Sequence, residues 1–176
     1  MIHNRTWLWL PALALLALVL ALVNLPAQSS VPEIPDTDGQ VADFSVACTD
    51  GSVFTLSEQR GRVVIVNLWA TWCTPCVEEL PEFERFAKEN PDTVTVLALH
   101  SSLVTEDVAA FAARRGLTLR IAVAPEETLF DALCDGDVLP QTIVLAPDGT
   151  ILARRIGSLD AEALAALVAQ SEGLWN

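Results

Sequence analysis

The chain has 176 residues, of which 52% are hydrophobic, and its 10 basic and 23 acidic residues give a formal net charge of −13. This length suits one domain plus an appendage, and so apolar a chain is not a disordered one. The negative charge excludes a general nucleic-acid binder, because phosphate backbones require a basic face.

Residues 1–25 form an apolar leader. Between Trp7 and Val23 no residue is charged and only Pro11 interrupts the apolar run. The 19 residues from Trp7 to Leu25, interrupted only by Pro11 and Asn24, are just long enough to cross a membrane as a helix. Arg5 precedes the run and acidic residues follow it, so the positive-inside rule places the rest of the chain outside the cytoplasm. The leader is either an uncleaved single-pass anchor or a cleaved signal segment. Both alternatives predict an extracytoplasmic domain, on the periplasmic side of the cell membrane.

A linker, residues 26–41, follows the leader. It contains Pro26, Pro32 and Pro35 and has neither helical nor strand periodicity, which is typical of a semi-extended connection. The remaining residues, 42–176, are predicted to form a single folded domain.

The domain begins with a predicted β-hairpin, in which residues 44–47 and 52–56 flank the turn signal Thr49-Asp50-Gly51. Residues 63–69 are almost continuously apolar, as in a strand that is buried on both faces of a sheet. Apolar residues at spacings of three and four then predict a helix over residues 75–89.

Strands and helices alternate in the rest of the domain. Thr105 is expected to cap a helix that ends at Gly116, and Asp160 to cap the last helix. The other predicted elements are strands at 93–99 and 119–123, a short helix at 126–133, and a hairpin of residues 142–145 and 150–156. Alternation predicts parallel strands, and the closing hairpin adds antiparallel ones. The fold class is therefore α/β, with a mixed central sheet flanked by helices.

The strongest chemical signal is the pair Cys73 and Cys76, which directly follows the buried strand and opens a helix. A zinc site would need four ligands, and the other two cysteines, Cys48 and Cys134, are isolated in the sequence. Covalent haem attachment would need a histidine where Val77 stands. We therefore predict no metal and no cofactor, and interpret the pair as a dithiol that cycles to a disulfide.

The two cysteines are expected to have different roles. Cys73 lies at the helix start, where free N–H groups and the helix dipole favour the thiolate that attacks a substrate disulfide. Cys76, one turn into the helix, is expected to resolve the mixed disulfide by attacking Cys73. Pro75 stiffens the first helical turn without removing a needed hydrogen-bond donor.

The string Val66 to Cys76, VNLWATWCTPC, resembles thioredoxin-fold proteins, and most of all the TlpA/ResA-like membrane-anchored thiol–disulfide oxidoreductases. The resemblance extends from about residue 41 to the C-terminus. It implies a thioredoxin-like fold with an N-terminal hairpin extension and an N-terminal membrane helix. It also implies that Pro140 is cis and faces the dithiol, and that the backbone of Leu139 pairs with a bound substrate segment. The predicted substrate-binding residues are Trp72, Thr74, Pro75, Leu139 and Pro140.

Glu79 is a further candidate, because it lies three residues after Cys76 and so on the same side of the helix. Thioredoxins place a buried Asp on the central strand as a proton relay, and Asn67 stands at that position here. The resemblance implies that Glu79 is a base or a tuner of the cysteine pKa. The residue pattern alone leaves open a solvated charge on the helix surface.

Cys48 and Cys134 remain once the active pair is assigned. Three alternatives are open: a structural disulfide between them, two independent buried thiols, or a second redox-active pair. His100 ends a strand and is interpreted as a polar cap rather than as a base.

The predicted function is an extracytoplasmic protein-disulfide oxidoreductase that reduces disulfides of exported proteins. The resemblance suggests apocytochrome c as a substrate and a membrane electron donor that re-reduces the dithiol, and we expect a monomer. The surplus of acidic residues, ordinarily a solvated surface, would favour a basic partner. The alternatives are a peroxiredoxin-like redoxin, although Ala70 replaces its expected Thr, and a non-enzymatic anchored binding module with a structural disulfide.

Overall fold

The computed structural model describes residues 39–103, 106–125 and 127–175, without the side chains of residues 127–128 and 170–175. Within these ranges no helix is both long enough and apolar enough to cross a membrane. The predicted leader, residues 1–25, lies outside the described residues.

The described chain forms a short N-terminal hairpin followed by alternating strands and helices. The elements are β1 (Ser45–Ala47), β2 (Val53–Thr55), a 3-10 helix (Leu56–Gln59), β3 (Val63–Trp69), α1 (Thr74–Glu89), β4 (Val94–His100), α2 (Val108–Arg115), β5 (Arg120–Val123), α3 (Glu127–Leu133), β6 (Gln141–Leu145), β7 (Ile151–Ile156) and α4 (Ala161–Trp175). Each predicted strand and helix is present, with ends that match the prediction or differ from it by at most three residues.

The central sheet has the strand order β5-β4-β3-β6-β7. Strands β3, β4 and β5 are parallel, and β6 and β7 are antiparallel to their neighbours. All seven residues of β3 are buried, as expected for the middle strand of a sheet covered on both faces. The mixed α/β sheet is confirmed.

Alternate residues of β3 enter different cores because side chains along a strand point to opposite faces. Val64, Val66 and Leu68 pack with the N-terminal hairpin and α3. Val63, Ile65 and Trp69 pack against helices on the other face, where α1, α2 and α4 lie. The carboxyl end of β3 leads directly into the segment that precedes α1, so the central strand positions the cysteine pair at one end of the sheet.

The cap of α2 differs from the prediction. The carboxylate of Asp107 accepts a hydrogen bond from the Ala110 N–H at 3.0 Å, and the helix begins at Val108. The expected capping residue, Thr105, lies outside the described residues. Gly116 ends the helix in the left-handed conformation at φ 66°, where glycine is favoured.

Residues 39–41, which the sequence assigns to the linker, contact the folded domain. Gln40 forms a bridge with Thr150, and the N–H of Ile151 donates to the carbonyl of Gly39 at 3.2 Å. Val41 packs against the core on the hairpin face. These contacts add a short extended segment beside the start of β7.

Candidate active site

The cysteine pair lies at the N-terminus of α1 and is oxidised. Cys73 and Cys76 form a disulfide, and Cys73 is the N-cap residue of the helix. The Cys76 N–H donates a hydrogen bond to the Cys73 sulfur at 3.3 Å. This donor and the helix N-terminus would stabilise a thiolate on Cys73 after reduction.

The two sulfurs differ in access. Cys73 is 7% exposed to solvent, whereas Cys76 is fully buried. The side chains that flank Cys73, namely Trp72, Thr74 and Pro75, are all exposed. Cys73 is therefore the more accessible of the two cysteines, and the exposed side chains around it are residues that the sequence analysis predicts to bind substrate.

The loop before β6 lies against this pair. The Leu139–Pro140 peptide bond is cis, as the resemblance implies. Leu139 packs on the hydrophobic cluster that contains both cysteines. The sheet and the loop thus bring together residues that are far apart in the sequence.

Gln141 anchors this loop and was missed by the sequence analysis. Its side chain is almost completely buried. Its Oε1 accepts a hydrogen bond from the Asp135 N–H at 2.9 Å, and its Nε2 donates to the carbonyls of Asp135 and Val138, each at 2.8 Å. These bonds determine the path of residues 134–139 up to the cis peptide bond. Gln141 has no periodicity or motif that could have indicated this role.

Glu79 is buried, which excludes a solvated charge on the helix surface. Its Oε1 accepts a hydrogen bond from the Asn67 side-chain amide at 2.8 Å, and its Oε2 accepts one from the Leu159 N–H at 2.9 Å. Burial raises the pKa of Glu79 to about 7, and the two hydrogen bonds only partly oppose this shift. The carboxyl can therefore exchange a proton near neutral pH from a position one turn after Cys76.

Asn67 can serve Glu79 in both protonation states. The other amide atom of Asn67, Oδ1, and the hydroxyl of its cross-strand neighbour Thr142 are buried and have no hydrogen-bond partner among the described residues. A carboxylate accepts from the amide NH₂, whereas a carboxylic acid can donate to the amide oxygen after the amide rotates. Unlike the aspartate of thioredoxins at this position, Asn67 can orient the proton acceptor without exchanging a proton itself.

His100 positions the segment before the disulfide. Its buried ring accepts a hydrogen bond at Nε2 from the Thr71 N–H, 2.9 Å away, and its Nδ1 lies 2.6 Å from the Ser101 carbonyl oxygen. Since Nε2 accepts and Nδ1 donates, the ring is neutral, and burial lowers the pKa of His100 accordingly. Trp69 packs edge-on against the ring, with centroids 4.8 Å apart. His100 thus caps the turn that carries Cys73.

Replacing His100 by alanine should reduce both stability and reactivity. The variant leaves a cavity and removes the ring nitrogen that accepts from the Thr71 N–H, so the free energy of unfolding should fall by about 2–4 kcal/mol. The second-order rate of disulfide exchange should also fall, because the segment before Cys73 loses its fixed position. Urea denaturation and stopped-flow exchange measure the two effects. His100→Gln, whose amide can accept from Thr71, should recover part of both losses; equal losses in the two variants would contradict the positioning role.

The other two cysteines are free thiols in the structure, which is one of the three alternatives left open by the sequence. Cys48 is buried, and its backbone forms an isolated antiparallel β-bridge with Ala122. Cys134 is half-buried, and burial raises its pKa, with further contributions from nearby aspartates. A raised pKa keeps Cys134 protonated and poorly nucleophilic.

Residues 30–168 match the family model described as Redoxin. The chain is 31% identical over 156 residues to the thioredoxin-like protein YneN of Bacillus subtilis (strain 168), which covers 86% of this chain and 91% of that protein. It is also 31% identical over 110 residues to the thiol-disulfide oxidoreductase ResA of Geobacillus thermodenitrificans (strain NG80-2). The latter match spans 62% of this chain and 63% of ResA, just under two thirds of that protein.

A solved structure has the same fold. The pneumococcal exposed lipoprotein thioredoxin Etrx1 of Streptococcus pneumoniae strain TIGR4 superposes with a TM-score of 0.66 at 25% identity. The superposition covers 73% of this chain and 99% of the Etrx1 chain. The fold is therefore thioredoxin-like, with a mixed sheet and flanking helices.

Proposed function

The chain belongs to the Redoxin family and is a thiol–disulfide oxidoreductase, and we propose that it acts outside the cytoplasm as a reductase of disulfides in exported proteins. The observation that carries this proposal is the Cys73–Cys76 disulfide at the start of α1, with the less buried sulfur at the N-cap. In this position the Cys73 sulfur can attack a substrate disulfide, and the buried Cys76 sulfur can afterwards attack Cys73.

The proposed reaction starts from the reduced dithiol. The Cys73 thiolate attacks one sulfur of a substrate disulfide, forms a mixed disulfide and releases the other substrate sulfur as a thiolate. Cys76 then loses its proton and attacks the Cys73 sulfur, which forms the Cys73–Cys76 bond and releases the second substrate thiolate. The substrate gains two electrons and, after protonation, two thiols; the enzyme loses two electrons.

Glu79 is proposed as the base for the second step. Its carboxylate takes the Cys76 proton, and its pKa of about 7 allows it to be ionised at neutral pH and to return the proton afterwards. The substrate-binding role of Trp72, Thr74, Pro75, Leu139 and Pro140 is part of the same proposal. It is supported by the exposure of the first three residues and by the packing of Leu139 on the hydrophobic cluster that contains the cysteines.

The extracytoplasmic location is supported by the sequence. The apolar leader, residues 1–25, would anchor or export the domain, and residues 26–38 of the predicted linker would separate it from the membrane surface. Etrx1, which shares the fold, is named as an exposed lipoprotein. We further propose that a membrane electron donor reduces Cys73–Cys76 again, that apocytochrome c is among the substrates, and that the protein acts as a monomer.

Differential alkylation tests the assignment of the two cysteines. In the reduced full-length chain, Cys73 should react with iodoacetamide below neutral pH, because its thiolate is stabilised by the helix start. Cys76 should react much more slowly, because it has no exposed area. Peptide mapping by mass spectrometry separates the two sites. Equal reactivity would contradict the assigned roles, and peroxide consumption without exchange of protein disulfides would instead favour a peroxide-reducing redoxin.

A further inference from the structure

A groove lies next to the segment that carries the disulfide, and Trp72, the residue before Cys73, lines it. It has a volume of about 480 Å³ and is bounded by Trp72 on one side and the loop of residues 134–139 on the other. Trp72 and Leu103 at the groove are 54% and 60% exposed, and the neighbouring Val138 is 56% exposed. Large apolar side chains at such exposure form a surface suited to a polypeptide partner.

The rim of this groove is acidic. Asp131 and Asp137 line it, and Asp135 lies in the same loop. The negative charges of all three carboxylates raise the pKa of the Cys134 thiol, which lines the groove. All three charges therefore lie near the same side chain. Neither lysine nor arginine is among the described residues that line the groove.

The basic residue Arg154 lies near the groove, but its side chain is bound to a backbone carbonyl at the end of α3. Arg154 also acts on Cys134, and its guanidinium donates to the carbonyl of Leu133 at 2.6 Å, at the end of α3. The potential in the groove is therefore set by the three aspartates, which would attract positive charge on a partner.

We propose that this groove binds an extended polypeptide segment in which lysine or arginine flanks the reactive cysteine. The proposal rests on the proposed function and names its substrate class. Asp137 is only two residues before Leu139, a distance of at most about 7 Å along the chain. A substrate segment that pairs with the Leu139 backbone would therefore bring basic side chains within two or three residues of its cysteine to the acidic rim.

Two disulfide-linked peptides that differ only in their flanking residues test the proposal. One carries lysines beside the cysteines and the other carries glutamates, and each is mixed with the reduced full-length protein. Each rate is divided by the rate of the same peptide with dithiothreitol, because flanking charge alone changes disulfide reactivity. The normalised rate should favour the lysine peptide by about tenfold at low salt, and the preference should shrink at about 0.5 M salt.

Matched variants then locate the preference. Asp131→Asn/Asp137→Asn should reduce the peptide preference at least about threefold, since each exposed charge contributes modestly. Glu89→Gln/Asp92→Asn makes the same change in net charge at exposed positions at the opposite end of the sheet, and should keep the preference.

The outcomes separate two failures. Equal normalised rates for the two peptides, or equal loss of preference in the two double variants, would overturn the groove proposal. Failure of the wild-type protein to exchange with either peptide would instead overturn the proposed reductase function.

Discussion

A Cys76→Ser variant is expected to accumulate as a covalent complex with its substrates. Cys73 can still attack a substrate disulfide, but the serine hydroxyl cannot attack the resulting mixed disulfide, so the reaction stops halfway. The effect should be all or none, because no other described thiol is an effective substitute: Cys48 is buried and the raised pKa of Cys134 keeps it protonated. Acid quenching of cells followed by non-reducing electrophoresis and mass spectrometry measures the complexes.

The matched control is Cys73→Ser, which should capture nothing. This substitution removes the attacking sulfur at the helix start and leaves only the Cys76 sulfur, which is fully buried. A triple variant with Cys76→Ser, Cys48→Ser and Cys134→Ser should still trap substrates. Complexes in Cys73→Ser, or their loss in the triple variant, would contradict the roles assigned to the pair. The trapped proteins would also show whether apocytochrome c is a substrate.

The cysteine pair was predictable from the sequence because its chemistry is local. An apolar strand, two cysteines one helical turn apart and a proline in the first turn all lie between Val63 and Cys76. The main elements were predictable for the same reason, since burial on one or two faces leaves a periodic pattern. Helix ends depend on single side-chain hydrogen bonds, and the sequence offers several candidates within a few residues. This is why Asp107, and not Thr105, is the observed cap of α2.

The surroundings of the pair were not predictable without the resemblance, because they depend on distant residues. The burial of Glu79 is completed by the backbone N–H of Leu159, 80 residues later in the chain. Gln141 bonds to a loop whose path the sequence does not reveal, and His100 contacts Thr71 only because β3 and β4 are parallel neighbours. A polar residue next to an apolar run is ordinarily a surface residue, so its pattern gives no sign of such contacts.

Glu79→Gln is expected to change how stability depends on pH. The pKa of Glu79 is raised from 4.5 to about 7 in the folded oxidised protein. Between these pH values the native state therefore holds a proton that the unfolded chain has lost, and the free energy of unfolding falls as the pH rises. The contribution is fully present below pH 4.5 and is lost by about pH 8. Its full size is about 3 kcal/mol.

The glutamine variant has no titrating carboxyl at this position, so its free energy of unfolding does not fall in this way. Relative to the wild type, it should therefore become more stable as the pH rises. Its amide can keep both hydrogen bonds if Asn67 rotates, because the Asn67 Oδ1 is buried without a partner among the described residues. Urea denaturation between pH 4 and pH 8 measures the difference. The control is Glu78→Gln on the same helix, an exposed residue outside the buried Glu79 site, which corrects for the loss of one charge. A parallel pH dependence for wild type and Glu79→Gln would contradict a titrating buried carboxyl.

The same substitution should slow the resolving step. The attack by Cys76 requires loss of its proton, and Cys76 is fully buried, so solvent cannot readily accept that proton. The wild-type rate should rise as the pH passes through about 7, where Glu79 ionises. Glu79→Gln should lose this inflection and be about 100-fold slower at pH 8, the usual contribution of a positioned base. Rapid-quench decay of a preformed Cys73 mixed disulfide isolates the step. An unchanged pH profile with only a lower rate would mean that Glu79 acts through structure, because a packing defect would slow the reaction equally at each pH.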